Sequence, residues 1–101
     1  MSTNTTNTVT RNADANRYEI RIDGNLAGVV EYDERDGHIE MTHTEVVEEY
    51  RSGDAASALA GQAIRDAVDR DLTIIPSCPY IERYLHRHEI SGAKVAWPTT
   101  D

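Results

Sequence analysis

An α/β fold, with a mixed and mostly antiparallel sheet flanked by helices, is what this chain predicts, and three observations predict it. Stretches that alternate apolar and polar residues fill the first half, as in Tyr18, Ile20 and Ile22 set against Arg17, Glu19 and Arg21; that period of two is a half-buried strand. A single long stretch then changes to helical spacing, with Ala56, Leu59, Ala60, Ala63, Ile64, Ala67 and Val68 on one stripe. Directly after it comes a short apolar run, Leu72 to Ile75, closed by Pro76-Ser77-Cys78-Pro79. A strand that follows a helix this closely is reached by a crossover and is free to lie parallel to an earlier strand.

The elements follow in order. Residues 1–14 are rich in Thr and Asn, with Val9 the sole aliphatic residue between Met1 and Ala13, and they read as a disordered tail; residues 15–101 read as one domain. After the strand around Tyr18–Ile22, Asp23-Gly24-Asn25 is a turn. Leu26 to Asp33 forms the next strand, with Gly28 inside it, and Asp36-Gly37 is a hairpin signal. His38 to Glu45 is the third strand. Its alternation places Ile39, Met41 and His43 on one face and Thr42 and Thr44 on the other, until Val46-Val47 break the pattern with a bulge or bend. The helix opens after Arg51-Ser52-Gly53-Asp54 and stops at Asp71-Leu72. Pro79 suits the first position of a second helix, which makes Cys78 its N-cap; Ile81, Tyr84, Leu85 and His88 form that helix's inner stripe, and Ser91-Gly92 ends it. Lys94 to Trp97 is a short edge strand closed by Pro98.

Charge and composition narrow the function. The chain has 101 residues, of which 18 are acidic and 10 basic, for a formal charge of -8. No basic stripe exists to bind nucleic acid, and no apolar run is long enough to cross a membrane. The single cysteine forbids an internal disulfide and fits a reducing compartment. The first ten residues lack the apolar stretch of a signal peptide, so cytoplasm is the expected setting.

Two places carry the chemistry-bearing residues. The turn from Arg51 to Ala56 feeds a helix N-terminus, where free N–H groups and the helix dipole suit a phosphate; Asp54, a natural N-cap, opposes an anion there. Cys78, between a strand end and a helix start, stands where the dipole favours thiolate over thiol. A buried core cysteine is the plainer reading. His43 reads by itself as a core-edge histidine, but a neighbouring Leu72–Ile75 strand would bring it near Cys78 as a base. His38, His43, His86 and His88 have no metal-ligand spacing with Cys78, and no metal is expected.

The ordered set of Gly28 in a strand, Thr42-His43-Thr44-Glu45-Val46, Tyr50-Arg51, the Ala56–Ala67 helix, and Pro76-Ser77-Cys78-Pro79-Tyr80-Ile81 followed by Tyr84-Leu85 and Arg87-His88 resembles the small Gcn5-related N-acetyltransferase-like (GNAT) proteins. The resemblance covers about residues 17 to 90. It implies a truncated GNAT-like fold and binding of acetyl-CoA or CoA between strands splayed after His43 and Leu72. The backbone of Glu45, Val46 and Val47 would meet the pantetheine arm. Arg51, Ser52, Gly53, Asp54, Ala55 and Ala56 would wrap the pyrophosphate; apart from the resemblance, Tyr84 reads mostly as a packing residue with a hydroxyl free to meet a ligand. Cys78 would accept or help activate the acetyl group, with His43 beside it, and the acceptor would be an unidentified amine or other nucleophile. One departure stands out: the turn keeps Arg51 and Ala56, but Asp54 replaces a central glycine and Gly53 comes one place early. The rival expectations are a CoA-binding module without turnover and a small interaction protein that uses its sheet edge and the Val95–Trp97 end. A homodimer is left open.

Overall fold

Two Asp-Gly pairs set the early topology. In the computed structural model, which describes residues 7–51 and 53–97, Asp23 and Gly24 both have positive φ (52° and 85°), as do Asp36 and Gly37 (52° and 77°). Positive φ at both central residues is the requirement of the tight hairpin turn whose twist matches the strands. These turns join β2 (Arg17–Ile22) to β3 (Asn25–Arg35), and β3 to β4 (His38–Val46). Helix α1 (Ala55–Asp69) then crosses to β5 (Thr73–Pro76), followed by α2 (Pro79–Arg87) and β6 (Lys94–Val95). With β1 (Asn7–Asn12) at one edge, the sheet has the order β1-β2-β3-β4-β5-β6 among the described residues. Its first four strands are antiparallel, and β5 and β6 run parallel to β4. The mixed, mostly antiparallel α/β architecture expected from the sequence is therefore present.

The first strand corrects the expected tail. Asn7–Asn12 form β1, paired with β2 from Asn7↔Ile22 to Asn12↔Arg17, so of the 1–14 segment only residues 1–6 lie outside the described residues. An edge strand is held by its backbone ladder. Only Val9 of β1 packs on the core, and the β-branched Thr8 and Thr10 suit the pleat. A one-sided edge strand of this kind leaves no alternation of apolar residues to read. The Pro98 expected to close the chain's last strand also lies outside the described residues.

Helix α1 buries Ala55, Leu59, Ala60, Ala63, Ile64 and Ala67 against Tyr18, Ile20, Val30, Ile39, Met41 and Ile74. Each large aliphatic side chain removed from water here stabilises the fold by about 1.5–3 kcal/mol. The small alanines let helix and sheet approach closely. The helix ends with Asp71 in the left-handed region (φ 60°), where the Asp71 N–H donates to Val68 O and the Leu72 N–H donates to Ala67 O. This paired closure satisfies two of the last carbonyls and redirects the chain into β5. No helix among the described residues is long and apolar enough to cross a membrane.

On the other face of the sheet, Glu19 is buried at 4% exposure. It accepts from Arg17 Nε (2.8 Å), Arg21 Nη2 (3.0 Å) and Asn12 Nδ2 (3.1 Å). The Arg17 hydrogen bond, then that of Asn12, holds its carboxyl below the usual carboxylate range.

Gly28 serves packing. A Cβ there would lie 3.0 Å from Glu45 O and 3.1 Å from Val46 Cγ2, so the absence of a side chain lets the end of β4 lie flat on β3. Gly28→Ala is expected to destabilise the fold by about 1–3 kcal/mol through overpacking. Urea unfolding followed by circular dichroism checks this; an unchanged midpoint would show that the end of β4 yields freely.

Candidate active site

The site begins where two parallel strands part. β4 and β5 pair from His38↔Thr73 to Met41↔Pro76, and then β4 runs on through residues 42–46 without β5 beside it. Two local features separate them. Pro76 and Ser77 turn the chain out of β5 toward the Pro79-led start of α2. In β4, Met41 pairs with Tyr32 but His43 pairs with Glu31, so Thr42 is an extra, unpaired residue. Such a bulge reverses which side chains face the core.

That reversal corrects the expected faces of β4. Ile39 and Met41 are buried as expected, but beyond the bulge Thr44 and Val46 point inward while His43 and Glu45 are exposed. The break in alternation thus comes at Thr42, ahead of the expected Val46-Val47. His43 is not beside Cys78: its Nε2 lies 3.3 Å from Glu45 Oε1 on the outer face. Thr44 takes the inner position, and the Cys78 thiol donates to Thr44 Oγ1 at 3.3 Å.

Cys78 stands at the vertex of the splay as the N-cap of α2, in extended conformation (φ -79°, ψ 127°). Its N–H donates to Met41 O at 2.9 Å, and its carbonyl accepts from the Glu82 N–H at 3.0 Å. The side chain is 4% exposed.

The turn into α1 is the second region that the sequence singles out. Val47 N–H donates to Ala27 O at 2.7 Å, which anchors the end of β4 to β3. The Arg51 guanidinium is turned back, with Nε donating to Val46 O at 2.9 Å, so it clamps the strand end. Ser52 lies outside the described residues. Gly53 N–H donates to Tyr50 O at 3.3 Å. Asp54 occupies the N-cap position, as expected, but its carboxylate makes no capping hydrogen bond. Ala55 is buried and Ala56 half-buried.

Two cavities of opposite character flank this first turn. One, of about 430 Å³, has Asp23, Glu49 and Asp54 among its lining residues, with Tyr50, Gly53 and Ala55. The other, of about 260 Å³, lies toward α2 and is lined by Ser57, Tyr80, Arg83, Tyr84, Arg87 and His88. There the Tyr84 ring stacks on His88 with centroids 4.2 Å apart. A Cβ on Gly61 would sit 2.7 Å from the Tyr84 hydroxyl, so the bare glycine gives Tyr84 its seat against α1. Burial, and then Tyr84, hold the Tyr80 hydroxyl above its ordinary range, while the charges of Arg83 and Arg87 pull it down. His88, expected on the inner stripe of α2, is exposed and reaches the core only through Tyr84; Ile81 is the buried member of that stripe.

Cys78 caps α2 beside the end of β5, the turn into α1 follows the end of β4, and Tyr84 packs against Gly61 of α1. Thr44 as the partner of the sulfur, and Arg83 and Arg87 beside Tyr84, were not among the residues expected from the sequence. The i, i+4 spacing of those two arginines was the available signal for a shared helix face.

The comparisons with known proteins bear on the whole assembly. A search of curated proteins found no match. A family model described as GCN5-related N-acetyl-transferase matches residues 17–94, which takes in every element from β2 to the start of β6. With its sheet order, its strands parting after Met41 and its helix-opening turn, the chain belongs to the GCN5-related N-acetyltransferase family, and membership supports a CoA-binding, acetyltransferase-like role.

Proposed function

We propose that this protein binds acetyl-CoA along the parted edge of β4 and the first turn of α1, and passes the acetyl group through Cys78 to an amine or other nucleophile. The observation that carries this reading is the position of the Cys78 sulfur at the point where β4 and β5 separate. The chain's donors fit the group. Residues 42–46 present a strand edge without β5 beside it, and Asp54 does not cap α1, so the first-turn N–H groups are left for phosphate oxygens. The backbone of Glu45–Val47 would hold the pantetheine, residues 51–56 the diphosphate, and Tyr84 the nucleotide side.

Acetyl-CoA, when bound, supplies a thioester. The Cys78 sulfur forms a bond to its carbonyl carbon as the bond from that carbon to the CoA sulfur breaks, and the thiol proton ends on the departing sulfur. The acceptor then bonds to the acetyl carbon as that carbon's bond to the Cys78 sulfur breaks, and the acceptor's proton ends on the sulfur, so one transfer becomes two steps. Intact-protein mass after acetyl-CoA exposure, paired with CoA calorimetry, tests the reading: binding with an acetyl adduct supports it, and failure to bind CoA overturns it. The burial of Cys78 favours a second reading, a CoA-binding module without turnover, which would show binding without the adduct.

The acidic side of the turn has a measurable consequence. Asp54→Asn keeps the size and capping capacity of the side chain but removes a charge beside the diphosphate. CoA affinity is expected to rise about 2-fold to 5-fold at low salt, the scale of one exposed charge at a helix terminus, and the gain should shrink as salt screens it. Calorimetric titration at two ionic strengths measures it; equal affinities at low salt would place the Asp54 carboxylate away from the phosphates.

A further inference from the structure

The α1–α2 groove is the positive exception on an acidic chain. Among the described residues, Arg11, Arg17, Arg21, Arg35 and Arg70 are in ion pairs, and Arg51 is spent on Val46 O. Arg65, Arg83 and Arg87 make neither an ion pair nor a side-chain hydrogen bond there. All three border the same furrow. Arg83 and Arg87 line the cavity of about 260 Å³, which has no carboxylate in its lining. Arg65 lines the adjoining cavity of about 420 Å³, which shares Ser57, Tyr84 and His88 with the first and includes Glu89.

Unpaired guanidinium groups are the side chains best shaped for a phosphate monoester, through paired N–H donors. The aromatic faces of Tyr80, Tyr84 and His88 lie beside them, with Tyr80 and Tyr84 centroids 6.4 Å apart, and offer a surface for a planar base. Ser57, in the first turn of α1, links this furrow to the N–H groups of that turn. A ligand with a diphosphate at the turn and a second phosphate on a nucleoside would meet positive charge toward α2 and the carboxylates of Asp23, Glu49 and Asp54 on the other side. Its nucleoside would therefore lie toward α2.

We propose that Arg83 and Arg87, on the wall of this groove, bind the 3′-phosphate of the adenosine end of CoA, so that the protein distinguishes CoA from dephospho-CoA. This rests on the CoA reading above and adds to it a selectivity for the phosphate monoester.

The experiment is calorimetry of the full chain with CoA and with dephospho-CoA, on the parent and on an Arg83→Gln/Arg87→Gln double variant. Both arginines are exposed, and circular dichroism checks that the variant is folded. The parent is expected to bind CoA about 10-fold more tightly than dephospho-CoA, the scale of a charge-assisted hydrogen bond. The double variant should lose that preference while its affinity for dephospho-CoA stays unchanged. Equal binding of both ligands by the parent overturns the inference and leaves the CoA reading intact. An equal loss for both ligands in the variant also overturns it, since the arginines would then serve some other part of the molecule. If the parent binds neither ligand, the CoA reading fails and the groove assignment falls with it.

Discussion

Cys78→Ser is expected to bind CoA as the parent does and to gain no acetyl mass. The cofactor's contacts in the proposed arrangement come from the edge of β4 and the turn into α1, and none depends on sulfur. Serine keeps the size and polarity of the site, and its hydroxyl can still donate to Thr44 Oγ1 as the thiol does at 3.3 Å. The N-cap position of α2 is also secure, because Ser is a preferred N-cap residue and the Cys78 N–H bond to Met41 O is backbone. What is lost is the nucleophile: a hydroxyl at neutral pH is almost wholly protonated, whereas a thiol has an accessible thiolate. Acetylation and acyl-CoA turnover should fall by about 100-fold or more, the scale on which an activated nucleophile contributes. Intact mass after brief acetyl-CoA exposure, with CoA calorimetry on both proteins, reads both quantities. If the serine variant turns over as well as the parent, transfer does not pass through Cys78.

What the sequence made legible was chemistry that acts over a few residues. Asp23-Gly24 and Asp36-Gly37 specify their turns by themselves, and the stripe from Leu59 to Ala67 specifies its buried face. Asp71 at the helix end was also readable, because a short polar residue tolerates the left-handed region. The remainder depended on distant partners. Strand β1 exists because β2 offers it a ladder, and nothing in its Thr- and Asn-rich letters records that offer. The extra residue at Thr42 is defined only against Glu31 and Tyr32 across β3, so the alternation that looked regular through His43 had already reversed. Arg83 and Arg87 read as ordinary exposed charges on a helix until α1 is laid beside them and Ser57 closes the groove. In each case the missing information was a register or a packing between elements far apart in the chain.

The bulge in β4 makes a prediction that separates two neighbouring residues. Thr44→Val is expected to slow both Cys78 alkylation and acetyl-enzyme formation about 10-fold at neutral pH, while His43→Ala leaves both unchanged. When Cys78 becomes a thiolate, the Thr44 hydroxyl can rotate and donate to the sulfur instead of accepting from it. A hydrogen bond to a charged group is worth about 1.5–3 kcal/mol, so its loss costs roughly a factor of ten or more in the rate at which the sulfur reacts. Valine keeps the shape of threonine and a β-branched residue in the strand, but it offers no hydroxyl. His43 lies across the bulge on the outer face with Glu45, and its removal leaves the sulfur's surroundings as they were. A packing role for Thr44 is distinguished by Thr44→Ser, which restores the hydroxyl without the methyl group: it should recover most of the rate, whereas a structural defect would persist. CoA affinity should be the same in all the variants, so the change falls on the rate of acetyl transfer and not on binding. Equal rates for Thr44→Val and the parent would leave the sulfur's reactivity to the α2 N-terminus alone, and a slowed His43→Ala would mean that the outer face of β4 reaches the reacting thiol.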